Sequence, residues 1–162
     1  MSPSTHRSEE IQELSLNDAT SHVLEECRTV VPGMQALFGF QLIAVFSTEF
    51  RNRLTFTERT VHLFAIVLVT IAIVLVMAPA ALHRQTEPRT VSARFIQVSS
   101  RLLMASMIPL AIGICLDVYI VARATIDSQP VAAAIAVALL CVFATFWLVL
   151  PRAIRNREDG DL

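Results

Sequence analysis

The sequence predicts an all-α polytopic membrane protein with four transmembrane helices, preceded by a short amphipathic helix. Three observations predict it. Of the 162 residues, 54% are hydrophobic, and the mean hydropathy is +0.59. Only 17% are charged, where soluble domains carry about a quarter. Those charges are clustered, which leaves four apolar stretches long enough to cross a hydrocarbon core of about 30 Å. The net charge of −1 gives no field that would draw nucleic acid, so membrane lipid is the expected partner and nucleic acid is not.

Residues 1–18 are polar and read as a mobile cytoplasmic tail. In 19–33, Val23, Leu24, Cys27, Val30 and Val31 recur at helical spacing, with His22, Glu25, Glu26 and Arg28 between them. That pattern predicts an amphipathic interfacial helix broken by Pro32-Gly33. A helix packed on its own bundle, or on a second subunit, fits the pattern equally well. The acidic start and the late apolar run do not match a signal peptide.

Span one is expected at 34–50, roughly 25 Å of helix. It carries Gln35, Gln41, Ser47, Thr48 and Glu49 and is the most polar of the four. Met34, Phe38, Gln41, Val45 and Thr48 share a face, and Gln41 at mid-depth should point at protein. Thr55-x-x-Glu58 has capping-box spacing and places span two at about 57–82, with Pro79 near its end. Glu87-Pro88 marks a helix start, and helical patterning from Phe95 leads into span three, at about 101–123. Arg94 and Arg101 share a face near the headgroups. Pro130 fits a first helical position, with Asp127 or Ser128 as cap. Span four then runs over about 130–150 and a charged cytoplasmic tail follows at 152–162.

Orientation follows from the arginines, since the chain has no lysine. Arg7, Arg28, Arg84, Arg89, Arg94, Arg101, Arg152, Arg155 and Arg157 fall on one side; Arg51, Arg53, Arg59 and Arg123 fall on the other. The positive-inside rule makes the first side, with both termini, cytoplasmic.

Asp117 is the residue most in need of explanation. It lies in span three roughly 7 Å outward of its centre, where an acid costs a few kcal/mol unless it faces the bundle with a partner. Ala105, Pro109, Gly113 and Asp117 repeat every four residues, a small-residue ridge suited to close helix approach, and Pro109 frees a backbone carbonyl. His62, Glu49, Arg59 and Arg123 fall in the same outer half. One reading is a structural pair, Asp117 with Arg59, Arg123 or His62. The other is an ion or proton site built from Asp117, His62, Glu49 and Gln41. Residue chemistry alone favours the pair. Thr70, Ser106 and Thr145 complete the polar residues of the spans. Cys27, Cys115 and Cys141 have neither disulfide nor zinc spacing. No phosphate loop, HExxH, CxxC or GxSxG occurs, so no enzyme, cofactor or metal is expected.

Several short motifs occur in a fixed order. They are VxPGxQxLFGFQL at 30–42, FSTEF at 46–50, APAALHR at 78–84, LDV at 116–118 and FWLVLPR at 146–152. Over about 10–155 the chain thereby resembles a family of uncharacterised four-helix bacterial membrane proteins of unknown function. Some members of that family carry an automatic label of sodium:proton antiporter. The resemblance implies four spans in a bacterial inner membrane and transfers no site residue. Two functions are expected to compete. One is an ion or proton pathway, for which four short spans require a homo-oligomer. The other is an accessory or scaffold subunit of a larger membrane complex.

Overall fold

The computed structural model describes the backbone of residues 3–86, 93–126 and 128–151, and the side chains of 18–48, 50–84, 94–126 and 128–151. Helix α1 is Pro3–Phe46, α2 is Thr48–Arg53, α3 is Phe56–Thr86, α4 is Ala93–Ile126 and α5 is Gln129–Ala144; α5 passes into a π-helical turn at Thr145–Val149. Among the described residues all regular structure is helical. Four segments are long and apolar enough to cross a membrane: Asp18–Phe46, Phe56–Arg84, Arg94–Ile126 and Gln129–Val149. The four-span fold expected from composition stands.

The start of the chain differs from expectation. Residues 19–33 are not a separate amphipathic helix. They belong to α1, which begins at Pro3, inside the segment read as a tail, and passes through Pro32. A proline inside a helix costs about 3 kcal/mol. The buried positions of α1, Thr20, Cys27, Met34 and Gln41, recur every seven residues on both sides of Pro32. Burying that one stripe outweighs the local cost, and Pro32 itself is exposed.

Span one also ends sooner than 50. Ser47 takes an extended conformation (φ −70°, ψ 142°) and caps α2, its Oγ accepting from the Phe50 amide. The same hydroxyl donates to the Ala44 carbonyl at 2.9 Å. Serine competes in this way with the helical backbone. The expected capping box is present: the Thr55 amide donates to Glu58 Oε2 at 2.9 Å, and the Glu58 amide to Thr55 Oγ1 at 3.3 Å. At the other turn Ser128 takes the cap position without a side-chain hydrogen bond, and proline opens α5.

The seven-residue period recurs on two more helices. On α3, Glu58, His62, Ala65, Val69, Ala72, Val76 and Pro79 are buried at alternating spacings of four and three. On α4, Ser99, Ser106, Gly113 and Ile120 are buried seven apart. A seven-residue period of burial is the pattern of a helix that packs along one stripe. The β-branched middle of span two therefore divides: Val69 and Val76 are buried, while Val67, Ile71 and Val74 are exposed. Helix α5 buries only Ala132.

The chain resolves into two compact units. The first takes residues up to Leu37 together with Ile71–Ser106, and the second takes Phe38–Thr70 with the chain from Met107. In the first, Cys27, Met34, Ala72, Val76 and Phe95 form the core, and the His83 ring lies against Phe95 with centroids 5.6 Å apart. In the second, Leu54, Ala65, Val69, Ala111, Cys115 and Ile120 are buried around a set of polar side chains.

The small-residue ridge expected on span three reduces to one position. Ala105 is exposed, Pro109 is half-buried and lies inside the unbroken α4, and Gly113 is buried. A Cβ at Gly113 would lie 2.8 Å from Val69 Cγ2 and 3.3 Å from the Ala65 carbonyl. Gly113 lies on the seven-residue stripe of Ser99, Ser106, Gly113 and Ile120, and Ala105 and Pro109 lie off it. Gly113→Val should lower unfolding stability in detergent by about 1–3 kcal/mol, as overpacking does, whereas Ala105→Val should change it by less than about 0.5 kcal/mol. Equal losses from the two substitutions would show that the ridge, and not Gly113 alone, makes the contact.

Candidate functional site

The second unit brings together three polar side chains from three helices. Asp117 of α4, His62 of α3 and Gln41 of α1 meet where the seven-residue stripes of α1 and α3 carry polar residues. The side chains of His62 and Asp117 are 6% and 16% exposed, and Gln41 is buried. Gly113 lies one helical turn before Asp117, and Ala65 one turn after His62. The close approach that glycine permits at Ala65 therefore sets the reach of Asp117 to the His62 ring.

Gln41 Nε2 donates to Asp117 Oδ2. His62 Nε2 lies 3.0 Å from the Gln41 backbone carbonyl. His62 Nδ1 lies 3.2 Å from Asp117 Oδ1, and neither of these two atoms has a hydrogen-bond partner elsewhere among the described residues. These contacts constrain the protons. A carbonyl can only accept, so Nε2 must carry a hydrogen. In a neutral imidazole Nδ1 is then a lone pair. A lone pair facing an ionised carboxylate across 3.2 Å is repulsive. The contact becomes attractive only with one further proton, carried either by Nδ1 or by Oδ1. The pair is thus a one-proton site, held as imidazolium with carboxylate or as imidazole with carboxylic acid, and the proton belongs to the pair.

Phe50 closes the cluster on one side. Its ring meets the His62 ring edge-on, with centroids 5.0 Å apart and an interplanar angle of 61°. Ser47 is what permits this, since ending α1 there lets α2 carry Phe50 onto the histidine. Gln41 Oε1 is buried and has no partner among the described residues, leaving one acceptor unused there.

One turn before His62, Glu58 serves two purposes. Its Oε2 accepts from both the amide and the hydroxyl of Thr55, and its Oε1 accepts from Arg123 Nε at 2.7 Å. The pair is largely buried, with side chains 9% and 18% exposed.

Of the residues singled out in the sequence, Gln41, His62 and Asp117 come together, with His62 as the partner of the acid. Arg59 is exposed and its Nε reaches the Thr55 carbonyl at 3.4 Å. It is therefore not the counter-ion expected for Asp117. Arg123 engages Glu58. The Glu49 side chain lies outside the described residues. Sequence reasoning missed the pairing role of Glu58, which it read only as half of a capping box. The signal was present: a hairpin of two spans puts the first turn of one and the last turn of the next at the same end, and Glu58 and Arg123 occupy those turns. Among the described residues no group of three His, Cys, Asp or Glu side chains could hold a metal ion.

Removing one member of a buried pair leaves the other uncompensated, at a cost of about 3–5 kcal/mol. His62→Ala and Asp117→Ala should each be strongly destabilising. The double variant should cost clearly less than the sum, with a coupling of about 0.5–3 kcal/mol in chemical unfolding in detergent. Simple additivity would separate the two side chains energetically and remove the one-proton pair.

A family model described as a family of unknown function (DUF6328) matches residues 9–151. No curated protein and no solved structure matches the chain. The matched region holds all four spans, the Gln41–His62–Asp117 cluster and the Glu58–Arg123 pair. The chain therefore belongs to this family of unknown function, DUF6328.

Proposed function

We propose that this protein is a proton-handling membrane protein in which the Asp117–His62 pair is the proton-binding station of an ion or proton pathway. The observation that carries the reading is the hydrogen count: Nε2 is committed to the Gln41 carbonyl, so the 3.2 Å contact of Nδ1 with Asp117 requires a proton. Ionisable groups inside spans are costly and mark proton relays. A group that binds protons within reach of neutral pH suits such a role, and histidine is the side chain that does so. Gln41, with its unused carbonyl oxygen, offers the next hydrogen-bonding position. Phe50 separates the pair from the 47–55 turn.

The reading places the protein in a bacterial inner membrane with both termini cytoplasmic, supported by the nine arginines assigned to that side against four on the other. Four spans of one copy enclose little, so the pathway is completed by a homo-oligomer. The apolar α5, which buries Ala132 alone among its residues, and α1, which buries one residue in seven from Thr20 to Gln41, have surface for a second copy. The same surface also suits the competing role of accessory or scaffold subunit, and the two make different predictions.

Purified protein in liposomes carrying an internal pH dye should dissipate an imposed proton gradient faster than empty liposomes. Asp117→Asn should remove the effect while leaving the oligomer intact. Infrared difference spectra between acidic and alkaline pH should contain a carboxyl or imidazolium signal that both Asp117→Asn and His62→Gln delete. Wild-type liposomes tight to H⁺, Na⁺ and K⁺ would reject the pathway. Co-purification of a defined set of other subunits in mild detergent would favour the accessory role instead.

A further inference from the structure

The first unit contains a cleft of about 280 Å³ walled by α1 and α3. Its walls change character along their length. Val31, Val76, Met77 and Ala80 make an apolar stretch; Arg28, His83 and Arg84 supply the polar part.

Two features of the polar part ask for an anion. Arg28 and Arg84 are both exposed, and neither has an ion-pair partner among the described residues. Glu25 and Glu26, neighbours of Arg28 in sequence, do not line the cleft. His83, whose ring is held against Phe95, lines the same end of the cleft. Two planar guanidinium forks match the oxygens of a phosphodiester. The apolar stretch beside them matches hydrocarbon. A soluble phosphate would have no use for that stretch, and a neutral lipid would have none for the arginines. Arg84 also ends the span Phe56–Arg84, the depth at which headgroups lie.

We propose that this cleft is a binding site for one anionic phospholipid, with its phosphodiester between Arg28 and Arg84 and an acyl chain along Val31, Val76, Met77 and Ala80. The site takes a lipid that carries net negative charge, such as a phosphatidylglycerol, in preference to a zwitterionic lipid with the same tails. It is independent of the proton site and uses none of its residues.

The full-length protein, purified in neutral detergent, tests this by native mass spectrometry and thermal unfolding. The probes are phosphatidylglycerol, phosphatidylcholine with identical tails, and inorganic phosphate. Phosphatidylglycerol should stay bound and raise Tm, whereas phosphatidylcholine and inorganic phosphate should do neither. Arg28→Gln and Arg84→Gln should each weaken phosphatidylglycerol binding about fivefold, with phosphatidylcholine unaffected. Arg101→Gln, an exposed arginine outside the cleft, should bind as wild type. Ala80→Phe, which fills the apolar stretch and keeps both arginines, should also lose the lipid. Equal retention of the two lipids, equal stabilisation by inorganic phosphate, or an equal loss in Arg101→Gln would each overturn the proposal. Unchanged binding in the Arg28/Arg84 double variant would do the same.

Discussion

In hydrocarbon a carboxylate has no water to fall back on, and Asp117 meets that constraint with partners from two other helices. Gln41 donates to one oxygen, and the other faces His62 at 3.2 Å. The histidine is held in turn by the backbone carbonyl of Gln41. Each member thus fixes another, and the acid is tolerable only while α1, α3 and α4 keep their register. Many of the other packing features of the second unit follow from that requirement. Gly113 lets α4 approach α3 one turn from the pair, and Phe50 packs on the histidine ring.

The seven-residue stripes explain how apolar helices with little sequence individuality hold a register at all. Without a hydrophobic driving force between spans, packing and a few hydrogen bonds must select it. On α3 the stripe begins with Glu58 and His62 and continues with Ala65, Val69, Ala72 and Val76. The polar residues therefore occupy the seam at one end, and small or β-branched residues occupy the remainder. A slip of one residue on α3 would carry both ionisable groups off the seam toward lipid. The Glu58–Arg123 pair and the Asp117–His62 pair lie one turn apart on α3, and together they penalise such a slip far more than the alanines could.

Much of this was legible in the sequence. The spans follow from hydropathy, the capping box at Thr55 from spacing, and the inward facing of Gln41 and Asp117 from the cost of burying polar groups, while the partner of Asp117 stayed open between His62, Arg59 and Arg123. What escaped was set by tertiary burial overruling local signals. Pro32-Gly33 reads as a break, but a continuous stripe from Thr20 to Gln41 holds the helix together. Ser47 reads as one more polar residue of a span, yet its hydroxyl ends that span. Ala105, Pro109 and Gly113 read as a ridge because a period of four looks helical, and only the actual seam shows that Gly113 alone lies on it. Arg59 and Arg123 looked equivalent as partners for Asp117, and the capping carboxylate that engages Arg123 could be recognised only by pairing the two ends of a hairpin.

The charge balance of the site bears on what a proton there can do. With one shared proton the Asp117–His62 pair is neutral in either arrangement, and Glu58 neutralises Arg123. The described polar interior of the second unit thus carries no net charge, which is the state hydrocarbon tolerates. A second proton would leave a buried positive charge, and loss of the first a buried negative one. Moving the proton between Nδ1 and Oδ1 costs no such penalty. On the proposed reading, then, gain or loss of a proton at the pair goes with a compensating charge or water. Passage requires that an arriving proton be matched by a departing one, or that a compensating charge or water enter as the first proton leaves. The oxygen of Gln41 is a buried polar atom of this cluster that has no partner among the described residues, and that makes it a natural position for such a compensating group.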